Sequence, residues 1–219
     1  KFDRTNINIL FEDQDLYLRD ATLHTKASAI KLTGSAKHFL SAYLNDQNKA
    51  AFNLNVSSND IDLNEFRTFL TARTPNKNST KKTTAKSNSY RKMNRQLDEI
   101  LALSDMHFAV NVGKIYYRDF TAHQVRANLS LLANGIKLHN VNINHAGGSV
   151  QVNASLDQSK SNNPIHLDAQ INKVKVDQLF KAFESFGIDV LTHENIKGAF
   201  TGDIKVSGNM DNSGNVIPR

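Results

Sequence analysis

Apolar and polar residues alternate at every second position through most of the chain. The segment Val141-Asn142-Ile143-Asn144 has this pattern, and so does Phe52-Asn53-Leu54-Asn55-Val56. A period of two places one row of side chains on each face of a β-strand. The pattern predicts strands over residues 4–11, 15–25, 28–38, 50–58, 107–118, 123–132, 135–145, 148–157, 164–172 and 196–208.

Two local irregularities can be read from the same pattern. The apolar row changes parity between Leu138 and Val141, which predicts a β-bulge near His139 and Asn140. The run Ala146-Gly147-Gly148-Ser149 lies between two strand segments. Glycine pairs adopt the positive φ angles that tight hairpins need, so this run predicts a hairpin turn.

Three short helices are expected between the strands. Asp62 or Asn64 is placed to cap a turn that carries Phe66, Phe69 and Leu70. Asp177 is placed to cap a second helix, and Gly187 is placed to end it. A third helix is expected over residues 93–103.

The chain also aligns with itself, which indicates an internal repeat. A shift of 120 residues superimposes the apolar positions of two strands on those of two later strands: Leu16, Leu18, Ala21, Leu23, Ile30, Leu32 and Ala36 fall on Ile136, Leu138, Val141, Ile143, Val150, Val152 and Leu156. A shift of 113 then superimposes Phe52, Leu54 and Val56 on Ile165, Leu167 and Ala169. Each copy is a meander of strands that ends in a short helix.

The predicted fold is mainly β: a long, strongly bent antiparallel sheet in repeating units, with a few short α-helices. The helices carry far fewer large apolar residues than the strands, so they cannot cover one whole face of such a sheet. Two arrangements solve this problem. Either the sheet folds on itself as a sandwich, or it curls into a trough whose lining is covered by an apolar ligand.

Composition narrows the class of protein. The 219 residues contain no cysteine, which excludes disulfides and thiolate metal sites. No apolar run approaches the ~18 residues of a membrane-spanning helix. The chain begins with strand-like sequence and no initiator methionine, so we expect a piece of a longer protein whose anchor lies outside it.

The net charge of +6 comes from one segment. Residues 73–95 carry eight basic and no acidic side chains, and they contain almost no apolar ones. We interpret them as a flexible basic linker or loop, with transient contact to anionic lipid as the alternative. A lone Tyr90 offers no stacking platform for bases, so no nucleic-acid partner is expected.

The predicted organisation has four parts. They are a first β repeat ending in a short helix (1–72), the basic segment (73–95), a second β repeat (96–195), and the start of a truncated third repeat (196–219).

No catalytic constellation emerges from the polar residues. The eight histidines lack metal-ligand spacing, and we interpret them as surface side chains, including His139, His145 and His166. The glycine pair lacks the spacing of a phosphate-binding loop. Carboxylate pairs lie at turns, and no nucleophile elbow occurs. We therefore expect no enzyme activity, no metal and no cofactor.

The region from Phe108 to Asp157 resembles the AsmA-like family, which includes proteins of the TamB type. The resemblance is carried by residues 112–120, 125–129, 134–138, 145–150 and 152–157, and by the strand-to-helix step at 171–180. The first copy fits less closely, because Asp15, Ala27 and Ser28 stand where the second copy has Gly135, Gly147 and Gly148.

The resemblance implies an internal or C-terminal-region fragment of a protein of outer-membrane assembly or inter-membrane phospholipid transport. Such a parent protein is anchored in the inner membrane of a diderm bacterium and extends a U-shaped, taco-like β groove through the periplasm. Its partners would be phospholipid or other acyl-chain lipid, together with envelope proteins. An apolar groove shields acyl chains without any signature motif.

The lining that we predict for this groove is Ile136, Leu138, Val141, Ile143, Val150, Val152, Leu156, Ile165 and Leu167. The alternative hypothesis is a non-enzymatic adhesin or scaffold domain of β structure. In that case the asparagine-rich outer face or an exposed edge would bind protein or glycan.

Overall fold

The computed structural model of the chain describes residues 4–44, 49–66, 104–159, 162–183, 185, 192–210 and 216–218. Eleven strands form one sheet in which neighbours in sequence are neighbours in space. The strands are β1 (Arg4–Glu12), β2 (Asp15–His24), β3 (Ala29–Lys37), β4 (Ala50–Asp62), β5 (Ser104–Tyr117), β6 (Phe120–Leu132), β7 (Gly135–His145), β8 (Gly148–Asp157), β9 (Pro164–Lys175), β10 (Ala199–Met210) and β11 (Val216–Pro218).

The sheet is open and mostly antiparallel, as the alternation predicted. All ten predicted strands are present, and β11 is an addition that the pattern did not indicate. Only the junction between β4 and β5 is parallel among the described strand pairs. The pairing continues across that junction, and the division of the chain into separate repeat units stays a prediction.

Short helical segments lie at the ends of the strands. They are α1 (Phe39–Leu44), a 3-10 turn (Leu63–Phe66) and α2 (Val176–Ala182). Asp62 caps the 3-10 turn, since its carboxylate accepts a hydrogen bond from the backbone N–H of Asn64 at 2.9 Å. The expected cap at Asp177 is wrong: the N-cap of α2 is Lys175, and Asp177 lies in the first turn.

Several expectations fall outside the described residues. The third helix at 93–103, the basic segment at 73–95 and the stop at Gly187 belong to this group. Helix α1, by contrast, was not expected from the sequence.

The predicted hairpin and bulge are both confirmed. Ala146 and Gly147 form a two-residue loop with φ of 49° and 81° between the paired residues His145 and Gly148. In β7 the pairing with β8 shifts between Leu138 and Val141, and Asn140 has a φ of 50°. The extra residue returns the apolar row to the same face of the sheet.

Strand pairing repeats along the chain at the same shifts as the sequence. Leu16 pairs with Ala36, and 120 residues later Ile136 pairs with Leu156. The bulge recurs too, because β2 shifts register between Leu18 and Ala21. In the first stretch, β4 ends directly before the 3-10 turn, which begins at Leu63. In the second stretch, β9 ends directly before α2, which begins at Val176.

A second line of irregularities crosses β5, β6 and β9. Gln124 and Lys173 have φ of 51° and 53°, and the close approach of Gly113 to the carbonyl of Asn59 leaves no room for a Cβ. These kinks bring inward-facing residues from both sides toward each other. The largest fully buried apolar side chains of the described residues flank them, together with further buried neighbours: Val112, Val174, Ala122, Val125, Ile171 and Ile61. The main cluster of buried apolar side chains therefore lies along this line of kinks.

This arrangement predicts that shortening a valine to alanine lowers the free energy of unfolding by different amounts at different positions. Val112→Ala or Val174→Ala should lower the free energy of unfolding by about 2 kcal/mol, because each removes two buried methyl groups and leaves a cavity. Val152→Ala, at a half-buried position of β8, should cost less than about 1 kcal/mol. Urea denaturation of the three variants measures the difference, and equal costs would show that the core is not confined to the kinks.

Candidate functional site

The nine residues predicted to line a groove lie on one face of β7, β8 and β9. Their cross-strand pairing forms four rows: Ile136–Leu156–Ile165, Leu138–Ala154–Leu167, Val141–Val152–Ala169 and Ile143–Val150–Ile171. Directly opposite residues share a face of the sheet, so the structure brings all nine together. The sequence prediction left out Ala154, Ala169 and Ile171, which complete the rows.

These rows continue into the neighbouring strands. One of them runs through Leu54, Phe108, Leu129, Leu138, Ala154, Leu167 and Val206, from β4 to β10. Eleven strands about 4.8 Å apart extend over roughly 48 Å. We call the face that carries these rows the apolar groove. Cross-strand pairing makes it one continuous surface across the described strands.

The apolar groove is only partly covered in the described part of the chain. All nine predicted lining residues are half-buried, and none belongs to the fully buried core. At the two sides of the sheet, the apolar side chains are more exposed still: Ile7 is 55% and Ile204 39% exposed. A second sheet packed on this face would have buried these side chains, so the fold is a single layer and not a closed sandwich.

Helix α1 covers the groove at one end of the first four strands. The Phe39 ring lies 6.0 Å from that of Phe11 in β1 and 6.2 Å from that of Phe52 in β4. Phe11 and Phe52 belong to one cross-strand row, which also contains Ala36. Ala36 is fully buried, because α1 packs over this row.

The first turn of α1 is held by the strand below it. The Asp15 carboxylate accepts hydrogen bonds from Lys37 Nζ and from the backbone N–H of His38, the latter at 3.0 Å. These two donors, Lys37 first, hold the pKa of Asp15 below its ordinary value. Asp15 therefore anchors the chain where it leaves β3 to form α1.

Helix α2 covers the opposite end of the groove, over β6 to β9. It follows β9 directly and packs against both β9 and β6. At its C-terminal end, the Phe183 ring lies 5.5 Å from that of Phe120 in β6. Because β7 and β8 lie between those strands, α2 crosses over their ends.

His145 lies beneath this end and is not a surface residue, which corrects the sequence interpretation. It is 6% exposed, and its ring lies 4.5 Å from the ring of Phe120. Nδ1 donates a hydrogen bond to the carbonyl oxygen of Thr121 at 2.7 Å, while Nε2 has no hydrogen-bond partner among the described residues. His139 and His166 are exposed, as expected.

A carboxylate clasp holds the 3-10 turn against the β2–β3 loop. Glu65 accepts hydrogen bonds from the hydroxyl of Thr25, from the hydroxyl of Ser28 at 3.1 Å and from the backbone N–H of Ala27 at 3.2 Å. The bond from Thr25 is the largest cause that lowers the pKa of Glu65 below its ordinary 4.5. Ser28 is itself buried and accepts a hydrogen bond from the backbone N–H of Asp62.

The described residues contain no group of three His, Asp or Glu side chains that could hold a metal ion. Within the same residues, no helix has the length and apolarity needed to cross a bilayer.

An open, single-layer β-sheet with one continuous apolar face is the class of structure that the fold and the groove define. Comparison with known families identifies the chain more closely. The sequence model described as the AsmA family matches residues 2–212, so the chain belongs to the AsmA family. Searches of curated proteins and of solved structures found no match.

Members of the AsmA family are envelope proteins of diderm bacteria and are associated with outer-membrane assembly and lipid transport. The family is in general one of non-enzymatic assembly and transport proteins.

The clasp predicts a specific dependence of stability on pH. Because the folded-state pKa of Glu65 is lowered, its contribution is complete above pH 4.5 and is lost as the pH falls through the lowered value. Glu65→Gln should therefore reduce the free energy of unfolding at pH 7 by about 1 kcal/mol, and by progressively less at an acidic pH below the lowered pKa.

Denaturant unfolding at both pH values measures this difference, with Glu12→Gln on exposed β1 as the control. A Glu65→Gln cost that is the same at both pH values would contradict the clasp.

Proposed function

We propose that the apolar groove shields the acyl chains of phospholipids in the periplasm, during outer-membrane assembly or transport of lipid between membranes. The observation that carries this proposal is the continuous row of apolar side chains from β4 to β10, which are half-buried from β4 to β9 and exposed at Val206 in β10. The known association of the AsmA family with lipid transport supports it.

The energetics suit a transient carrier. Burying one methylene group contributes about 0.8 kcal/mol, so a chain of about fifteen contributes on the order of 10 kcal/mol when it is fully buried. A one-sided groove covers only part of the chain, so the lipid stays exchangeable. Apolar contact needs no specific polar partner, which agrees with the lack of a polar motif along the rows.

The proposed setting is a longer parent protein that is anchored in the inner membrane. The described chain would then be one stretch of an extended groove, with the lipid headgroups in water and the acyl chains on the apolar face. Envelope proteins at the ends of that groove would be further partners.

One observation favours a second candidate function. The outer face contains a cleft of about 600 Å³ lined mainly by amide side chains, among them Asn111, Asn142 and Gln170, together with Arg126. Amides and a guanidinium are suited to hydroxyl-rich or polar surfaces, so the cleft fits a scaffold that binds glycan or protein. This candidate requires no lipid on the apolar face.

Charged substitutions on the two faces distinguish these functions. Val141 and Val152 pair with each other on the apolar face, while Asn142 and Gln151 form the next pair on the outer face. Val141→Asp or Val152→Asp should lower the phospholipid that co-purifies about fivefold or more, because a carboxylate is costly to desolvate against acyl chains. The controls Asn142→Asp and Gln151→Asp should retain the lipid.

Native mass spectrometry after gentle purification measures bound lipid, and circular dichroism checks the fold. Val152→Ser provides a milder variant if the aspartates unfold. Lipid that is absent from the wild-type chain, or retained equally in all variants, would contradict the proposal and favour the scaffold function.

A further inference from the structure

A cavity of about 700 Å³ lies at one rim of the sheet, beside the apolar groove. The β6–β7 turn and the ends of the β8–β9 connection form its walls, and Lys49 and Asp105 border it from the starts of β4 and β5. The groove is covered by α1 only over the first four strands. Helix α1 lies in the connection between β3 and β4, which has twelve residues. The corresponding connection between β8 and β9 has only six residues.

This cavity contacts both faces of the sheet. Leu156 and Ser155 both line it, although they point to opposite faces because they are adjacent in one strand. Leu156 pairs with Ile136 and Ile165 in the apolar groove. Within the sheet the backbone separates the two faces, so only a molecule at the rim can touch both. A ligand that fills this cavity has to be amphipathic.

The polar wall of the cavity contains a lysine, Lys137, that forms no ion pair in the described part of the chain. Ser155 pairs with Lys137 on one side and with His166 on the other, and all three line the cavity on the outer face. Two carboxylates also border the cavity. Asp105 lies 3.6 Å from Lys49 Nζ, and Asp157 accepts a hydrogen bond from the backbone N–H of Ser159 at 2.9 Å.

We propose that this rim cavity holds the phosphate-bearing headgroup of a lipid whose acyl chains enter the apolar groove at Leu156. The proposal rests on the proposed function, and adds to it the place where the lipid enters and the group that is recognised. Lysine is a common point-charge partner of phosphate, and asparagine amides of the adjoining turns add hydrogen-bond donors. Among the described residues no helix covers this rim, which is thus the entrance, whereas the rim of the first four strands lies under α1.

The test compares two soluble lipids with the same acyl chains, dihexanoylphosphatidylglycerol and dihexanoylglycerol, on the full chain. Isothermal titration calorimetry should give tighter binding of the phospholipid at low salt. Lys137→Gln should weaken phospholipid binding about fivefold and leave dihexanoylglycerol unchanged. Ser155→Asp, which places a carboxylate between Lys137 and His166, should weaken phospholipid binding further. Lys31→Gln, which removes an exposed charge from distant β3, is the matched control.

The outcomes separate this proposal from the function on which it rests. Equal affinities for the two lipids, or equal effects of Lys137→Gln and Lys31→Gln, would overturn the headgroup site and leave the groove intact. Displacement of the phospholipid by millimolar inorganic phosphate would assign the cavity to the free anion, which also overturns the proposal. If neither lipid binds, the groove itself fails as a lipid site, and the headgroup site fails with it.

Discussion

A single β-sheet satisfies the hydrogen bonds of its backbone within one layer, but it cannot cover its own apolar face. This constraint governs the rest of the structure. Ten strand junctions pair the main chain from β1 to β11, and only short helical segments are left to pack on the face in the described part of the chain. Those segments cover opposite ends of the sheet. What lies between them is a surface of half-buried Leu, Ile and Val side chains that gains free energy from any apolar molecule that covers it.

The kinks explain how such a sheet holds together without a second layer. Where Gln124 and Lys173 adopt positive φ, the inward side chains crowd one another, and Val112 and Val174 become fully buried. The largest fully buried apolar side chains of the described residues therefore lie along one line. The groove residues contribute less to stability, which leaves their surface free to exchange a ligand. Stability and binding thus depend on different residues of the same face.

Strand alternation was enough to predict the ten long strands and the open sheet, because a period of two is a direct consequence of strand geometry. The bulge at Asn140 was predicted from an apolar spacing of three. The same spacing separates Val112 from Ile115 and Ile171 from Val174, and it would have revealed the second line of kinks. Helix α1 has only six residues, too few for a helical period to stand out. The burial of His145 depends on Phe120 and α2, which are distant in sequence.

The two stretches of sequence that align at a shift of 120 residues differ at specific contacts. Asp15 stands in place of Gly135 and anchors α1, while Ala27 and Ser28 stand in place of the Gly147–Gly148 pair and bind Glu65. In the second repeat, Gly148 instead allows a close approach to the carbonyl of Asn172, where a Cβ would not fit. The sequence differences between the two stretches therefore lie at local contacts, with the start of α1 in one case and with the 3-10 turn in the other.

The central claim is that lipid, and not protein, covers the apolar face, and a label on that face tests it most directly. The chain has no cysteine, so Val152→Cys and Gln151→Cys each give one attachment site for an environment-sensitive fluorophore, on the inner and outer face. With vesicles of phosphatidylethanolamine and phosphatidylglycerol, we expect a blue shift of the emission at position 152 and none at 151. A label at 152 that is already shielded without lipid, or that responds no more than the label at 151, would contradict it.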